Sequence, residues 1–78
     1  MAWVSEGDLE AGLTEFHRVL VNDPDYVAAY FQMGQALTEA GRTPDAREIL
    51  VRGIAAARRV GDTHAQAEMA GFLETLGT

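Results

Sequence analysis

Turn-forming residues fall at near-regular intervals along this chain, and that punctuation constrains its fold more than anything else in it. Gly7-Asp8, Asp23-Pro24, the stretch from Gly41 to Pro44, Gly61-Asp62 and Gly77 are separated by runs of helix-forming length. No segment alternates strictly between apolar and polar residues, and β-branched residues never dominate a run, so strand signals are missing. The punctuation predicts an all-α chain of about four helices.

Each run carries one apolar face. The first helix is expected at roughly 8–21, capped by Asp8, with Leu9, Leu13, Phe16 and Leu20 on one side. The second, at roughly 24–40, has Asp23 as cap, Pro24 at its first position and Gly41 as its left-handed terminator. Its stripe is Tyr26, Tyr30, Met33, Leu37 and Ala40. The third, at roughly 44–60, repeats that grammar with Thr43, Pro44 and Gly61, and turns Ala46, Ile49, Leu50, Ile54, Ala57 and Val60 inward. The fourth, at roughly 64–76, opens on Thr63 and Gln66 in capping-box spacing and buries Met69, Phe72, Leu73 and Leu76. Loops this short make consecutive helices antiparallel hairpins.

The chain also resembles itself. A shift of 34 residues places Trp3 on Leu37, Gly7 on Gly41, Gly12 on Ala46, Phe16 on Leu50, Arg18 on Arg52 and Leu20 on Ile54. A shift of 36 pairs the fourth helix with the second: Met69 with Met33, Ala70 with Gly34, Leu73 with Leu37 and Gly77 with Gly41. Within one period run Tyr30-x2-Met33-Gly34-x2-Leu37 and then Ala46-x3-Leu50. Gly34 and Ala46 lack bulk where two helices face each other, so the backbones can approach while Tyr30, Met33, Leu37 and Leu50 fill the space around them.

Period and residue classes resemble the tetratricopeptide repeat, whose pattern is Trp-x2-Leu-Gly-x2-Tyr, then Ala-x3-Phe, then Pro. The resemblance implies a short right-handed solenoid of stacked hairpins in one domain: a partial repeat at 1–24, a full repeat at 27–60 and a capping helix at 62–77. Arg58 stands where Pro is usual, so the third helix is expected to run on to Gly61. Gly12, Gly34, Gly53 and Gly71 read as close-packing positions, and the remaining glycines as punctuation.

Chemistry is sparse. There is no cysteine and one serine, and the two histidines, His17 and His64, lack a second ligand at metalloprotease spacing. No glycine-rich phosphate loop is spelled. The reading is therefore non-enzymatic, with no cofactor and no metal. A net charge of −6 with no lysine disfavours nucleic acid, whose phosphates call for a basic face. The longest charge-free stretch, residues 26–38, is too short to span a bilayer, for which ~20 apolar residues are needed. The start has neither a basic lead nor a signal-length apolar run, which points to the cytoplasm.

In the resembled family the first helix of each repeat lines a concave groove that takes a peptide or helix. Carried onto this chain, the groove would present Ala28, Phe31, Gln35, Thr38 and Glu39, joined by His64, Ala67, Gly71 and Glu74. Phe31 lies off the buried stripe and is either an exposed aromatic anchor or a residue at the margin of the core. The Lys, Asn and Arg clamp by which some relatives hold acidic chaperone tails is missing, so a neutral, apolar or basic partner segment is expected. The arginines fall mainly on the first and third helices, as a solvated strip balanced by Glu15 and Glu48.

A chain of this size buries only about 60% of the surface its unfolded form exposes, and repeat arrays usually need about three units. The first helix would leave part of its apolar face uncovered. Self-association through Trp3, Leu9, Leu13 and Phe16, as a homodimer or within a larger array, is one expectation; Trp3 folding back on its own first helix is the other. The leading function is a protein-interaction module. The alternatives are an assembly unit stacking end to end and an accessory domain of a larger complex.

Overall fold

The computed structural model describes residues 6–76, with side chains from residue 10 onward. Four helices make up the described residues: α1 (Glu6–Asn22), α2 (Val27–Glu39), α3 (Thr43–Val60) and α4 (Thr63–Leu76), with no strand among them. Each packs on the next, and α2 also meets α4 along one edge. The result is a slab of 35 × 33 × 20 Å.

Its core follows the expected stripes in their central turns. Tyr30, Met33 and Leu37 of α2, Ala46, Ile49, Leu50 and Ala57 of α3 and Met69 of α4 are all buried, together with Val27, Ala29 and Ala56. Leu13 joins them from α1, with Phe16 and Leu20 half-buried beside it. The stripes fail at helix ends. Tyr26 is 50% exposed and Val60 51%, and Ala40 is exposed, because each lies past the last turn that a neighbouring helix covers.

Two helix stops are as the glycines predict, and the third expected one, Gly77, lies outside the described residues. Gly41 and Gly61 hold φ values of +79° and +77°, a region that costs a side chain steric energy. Each lets the chain double back to satisfy two loose carbonyls. The amide of Arg42 donates to Leu37 O at 2.8 Å and that of Gly41 to Thr38 O at 3.0 Å. The same pair recurs one hairpin on, from Asp62 to Ala57 O at 2.8 Å and from Gly61 to Arg58 O at 3.2 Å.

The helix starts differ from expectation. Asp8 lies inside α1 rather than capping it. The α2 helix begins at Val27, not at Pro24, because Asp23 folds its own neighbourhood into a turn. Its Oδ1 accepts the Asp25 amide at 3.2 Å and its carbonyl accepts the Tyr26 amide at 3.1 Å. The hydroxyl of Tyr30 then anchors that turn by donating to Pro24 O at 2.8 Å. Thr43 is the first helical residue of α3, and the cap position falls on Arg42, whose side chain makes no capping bond. In place of the Thr63 box, Asp62 caps α4: its Oδ1 accepts the Ala65 amide at 3.0 Å.

Two of the four expected close approaches are present. A Cβ at Gly34 would lie 2.7 Å from Leu50 Cδ2, and one at Gly53 would lie 2.6 Å from both Tyr30 Cβ and Met69 Sδ. Gly34 is therefore what lets α2 settle on α3, and Gly53 is where α3 admits both α2 and α4. At Gly12 and Gly71 a Cβ would meet nothing within 4 Å, so neither is a packing position among the described residues.

Candidate functional site: the exposed face of α2 and α4

Burying Tyr30, Met33 and Leu37 against α3 fixes which side of α2 is left for solvent. Ala28, Gln35 and Glu39 are exposed on it, and Phe31 and Thr38 are half-buried. On α4 the burial of Met69 likewise leaves His64, Ala67, Gly71 and Glu74 exposed. The expected groove residues thus reach the surface on two helices that share an edge.

That edge is bridged by aromatic rings. Phe31 and Phe72 meet at a centroid distance of 5.9 Å with planes at 90°, the edge-to-face arrangement that the ring quadrupoles favour. Phe31 accordingly packs at the core margin while retaining some exposure. The Thr38 hydroxyl donates to Gly34 O at 2.7 Å within its own helix. His64 Nε2 lies 3.7 Å from Glu68 Oε1, an exposed pair one turn apart. Phe72 belongs to the stripe expected to be buried, and Glu68 carries no mark of its own; the i, i+4 spacing of His64, Glu68 and Phe72 is the signal that joins them.

Charge divides by helix. The only charged residue of α2 is Glu39, and α4 carries Glu68 and Glu74 with His64 and no arginine. All six arginines lie on α1, on α3 or in the turn before it. Most are engaged there. Arg18 pairs with Glu15 at 3.6 Å and Arg52 with Glu48 at 3.0 Å, the two helical pairs expected from spacing. Arg59 reaches Asp25 at 2.8 Å and Arg42 reaches Glu10 at 3.2 Å, contacts that clasp one hairpin to the next. Arg42 also holds Asp45 at 2.9 Å, and the Asp45 and Glu10 carboxylates push its guanidinium pKa further up. Arg47 donates to Leu76 O at 2.8 Å and so ties down the last turn of α4.

The expected self-association edge is only partly in view. Leu13 is buried, Phe16 is half-buried, and Trp3 and the Leu9 side chain lie outside the described residues. Between α1 and α3 a crevice of about 220 Å³ opens over Leu13, Met33, Leu37 and Ile49, with His17, Arg42, Asp45, Glu48 and Arg52 at its walls. Among the described residues no three His, Asp or Glu side chains gather as a metal site. No helix there is long and apolar enough to cross a membrane.

Comparison with known proteins agrees with this geometry. A family model described as tetratricopeptide repeat matches residues 4–71. A TPR repeat-containing protein of Pseudomonas aeruginosa is 34% identical over 74 residues, which cover 95% of this chain and 70% of that protein. No solved structure matches at a significant level. With the repeat pattern, the four stacked helices and the family model all in agreement, the chain belongs to the tetratricopeptide repeat family.

Proposed function

We propose that this chain is a non-enzymatic interaction module that binds a peptide or helix of a partner protein across the exposed face of α2 and α4. The single observation that carries the reading is the bridged surface built around Phe31 and Phe72, with Ala28, Gln35, Thr38, Glu39, His64, Ala67, Gly71 and Glu74 along its two helices. Tetratricopeptide repeats generally mediate protein–protein contact, which supports it. In repeat terms, residues 1–24 act as a partial repeat, 27–60 as the full one and 62–77 as a cap. The partner segment is neutral, apolar or basic, since neither helix offers an arginine to a carboxylate. The proposed setting is cytoplasmic, with neither nucleic acid nor membrane as ligand.

A second reading, self-association as a homodimer or larger array, is supported by the crevice that opens over Leu13, Met33, Leu37 and Ile49 beside α1. Trp3, Leu9, Leu13 and Phe16 would form that edge. Sedimentation equilibrium on the wild type and on Trp3→Ala separates the two. A monomer of 8.4 kDa at all concentrations is expected of the interaction module. A dimer dissolved by Trp3→Ala would transfer the function to assembly.

A further inference from the structure

We infer that the α2/α4 face selects a partner segment bearing an arginine or lysine, and that this cation docks on the Phe31–Phe72 pair between the carboxylates of the two helices. The inference rests on the groove reading above and supplies the chemistry of its ligand.

Two observations converge on it. The first is the segregation of charge: Glu39, Glu68 and Glu74 stand on α2 and α4 without one arginine, while every arginine stands elsewhere. A basic segment approaching that side meets attraction, and an acidic one meets repulsion that no arginine on either helix relieves.

The second is the geometry of the rings. In a perpendicular pair 5.9 Å apart, one ring offers its edge and the other a face. The ring that offers its edge keeps both of its own faces clear of the pairing. Both residues are only half-buried and so keep some surface open to a ligand. A guanidinium or ammonium over that surface gains cation–π attraction, and more where carboxylates stand nearby. Glu68 precedes Phe72 by one turn and is within helical reach of it, whereas Glu39 follows Phe31 by about two turns and adds its charge at longer range. The apolar, small surface of Ala28 and Ala67 along the two helices suits the aliphatic stem of such a side chain.

The test is a titration of the isotope-labelled chain with an amphipathic peptide of roughly 14 residues in which arginine is the sole charged residue. Its counterpart carries citrulline, which keeps the shape and removes the charge. Amide shifts are expected at Phe31, Gln35, Glu39, Glu68 and Phe72, with the arginine peptide binding about tenfold tighter than the citrulline peptide at low salt. Phe31→Leu keeps apolar bulk and should narrow the gap between the arginine and citrulline peptides from about tenfold to about twofold. Glu39→Gln with Glu68→Gln, two exposed substitutions that leave the core intact, should flatten the salt dependence. Equal affinity of the two peptides at this face would overturn the cation assignment and leave the groove reading standing. Shifts confined to α1 and α3, or no binding of either peptide at about 1 mM, would overturn both.

Discussion

At the residue scale the glycines divide by what lies above them, and their alanine variants should divide the same way. Gly34→Ala places a methyl 2.7 Å from the Leu50 Cδ2 atom of a fully buried side chain. Gly53→Ala meets Tyr30 Cβ, which cannot move without its backbone. Overpacking of this kind outweighs the better helix propensity of alanine, so each should cost about 1 to 2 kcal/mol in urea unfolding. At Gly12 no atom of the described residues stands in the way, and the same exchange should stabilise by about 0.5 to 1 kcal/mol. Truncating Leu50 to Ala together with Gly34→Ala should show coupling, because the two changes share one space. A Gly34→Ala variant as stable as the wild type would mean that α2 and α3 are not held this close.

At the element scale the helix centres and stops were legible in the sequence and the starts were not. A period of 3.6 marks Met33, Leu37, Leu50 and Met69 as the faces their helices bury, and Gly41 and Gly61 are the residues that tolerate the left-handed turn found there. Starts are ambiguous because cap-competent residues sit side by side. Asp62 precedes Thr63, and Asp23 can close a turn on its own as readily as it can begin a helix. Asp62→Ala should therefore cost about 1 kcal/mol, whereas Thr63→Ala should cost a few tenths at most; the reverse order would restore the capping box. The Phe31–Phe72 contact was hidden for a different reason. Which residues of two helices meet depends on their offset and crossing, and neither is written in the period of one helix alone.

Elements also differ in how firmly they are held. The α2 and α3 helices are covered on both sides, whereas α1 packs on α2 and is clasped to the following turn by the exposed Glu10–Arg42 pair. Exposed pairs of this kind are screened by solvent and hold only weakly. Hydrogen exchange should release α1 amides ahead of those of α2 and α3, through local opening rather than global unfolding. Protection of α1 equal to that of α3 would point to a further contact on its outer face.

At the scale of the whole molecule, charge governs what this surface can meet. The α1 segment holds four carboxylates against one arginine, and α4 holds two against none, so end-to-end stacking of α4 on another copy's α1 sets like charges together. Any such stacking should strengthen as salt rises, whereas binding of a basic segment across α2 and α4 should weaken. The two functional readings thus carry opposite salt signatures. The proposed groove rests on the family resemblance alone: Gln35 and Gly71 are exposed in the structure, and nothing in their own chemistry marks them.

The central claim, that partners are met across α2 and α4, is tested most directly by placing a photoreactive side chain at Gln35 or at Val51 and crosslinking inside the cell. Val51 is 53% exposed on α3, so both positions are open to neighbours. A discrete adduct from Gln35, absent from Val51 and diminished by Phe31→Leu, is the expected result. Adducts from Val51 alone, or equal ones from both positions, would contradict it.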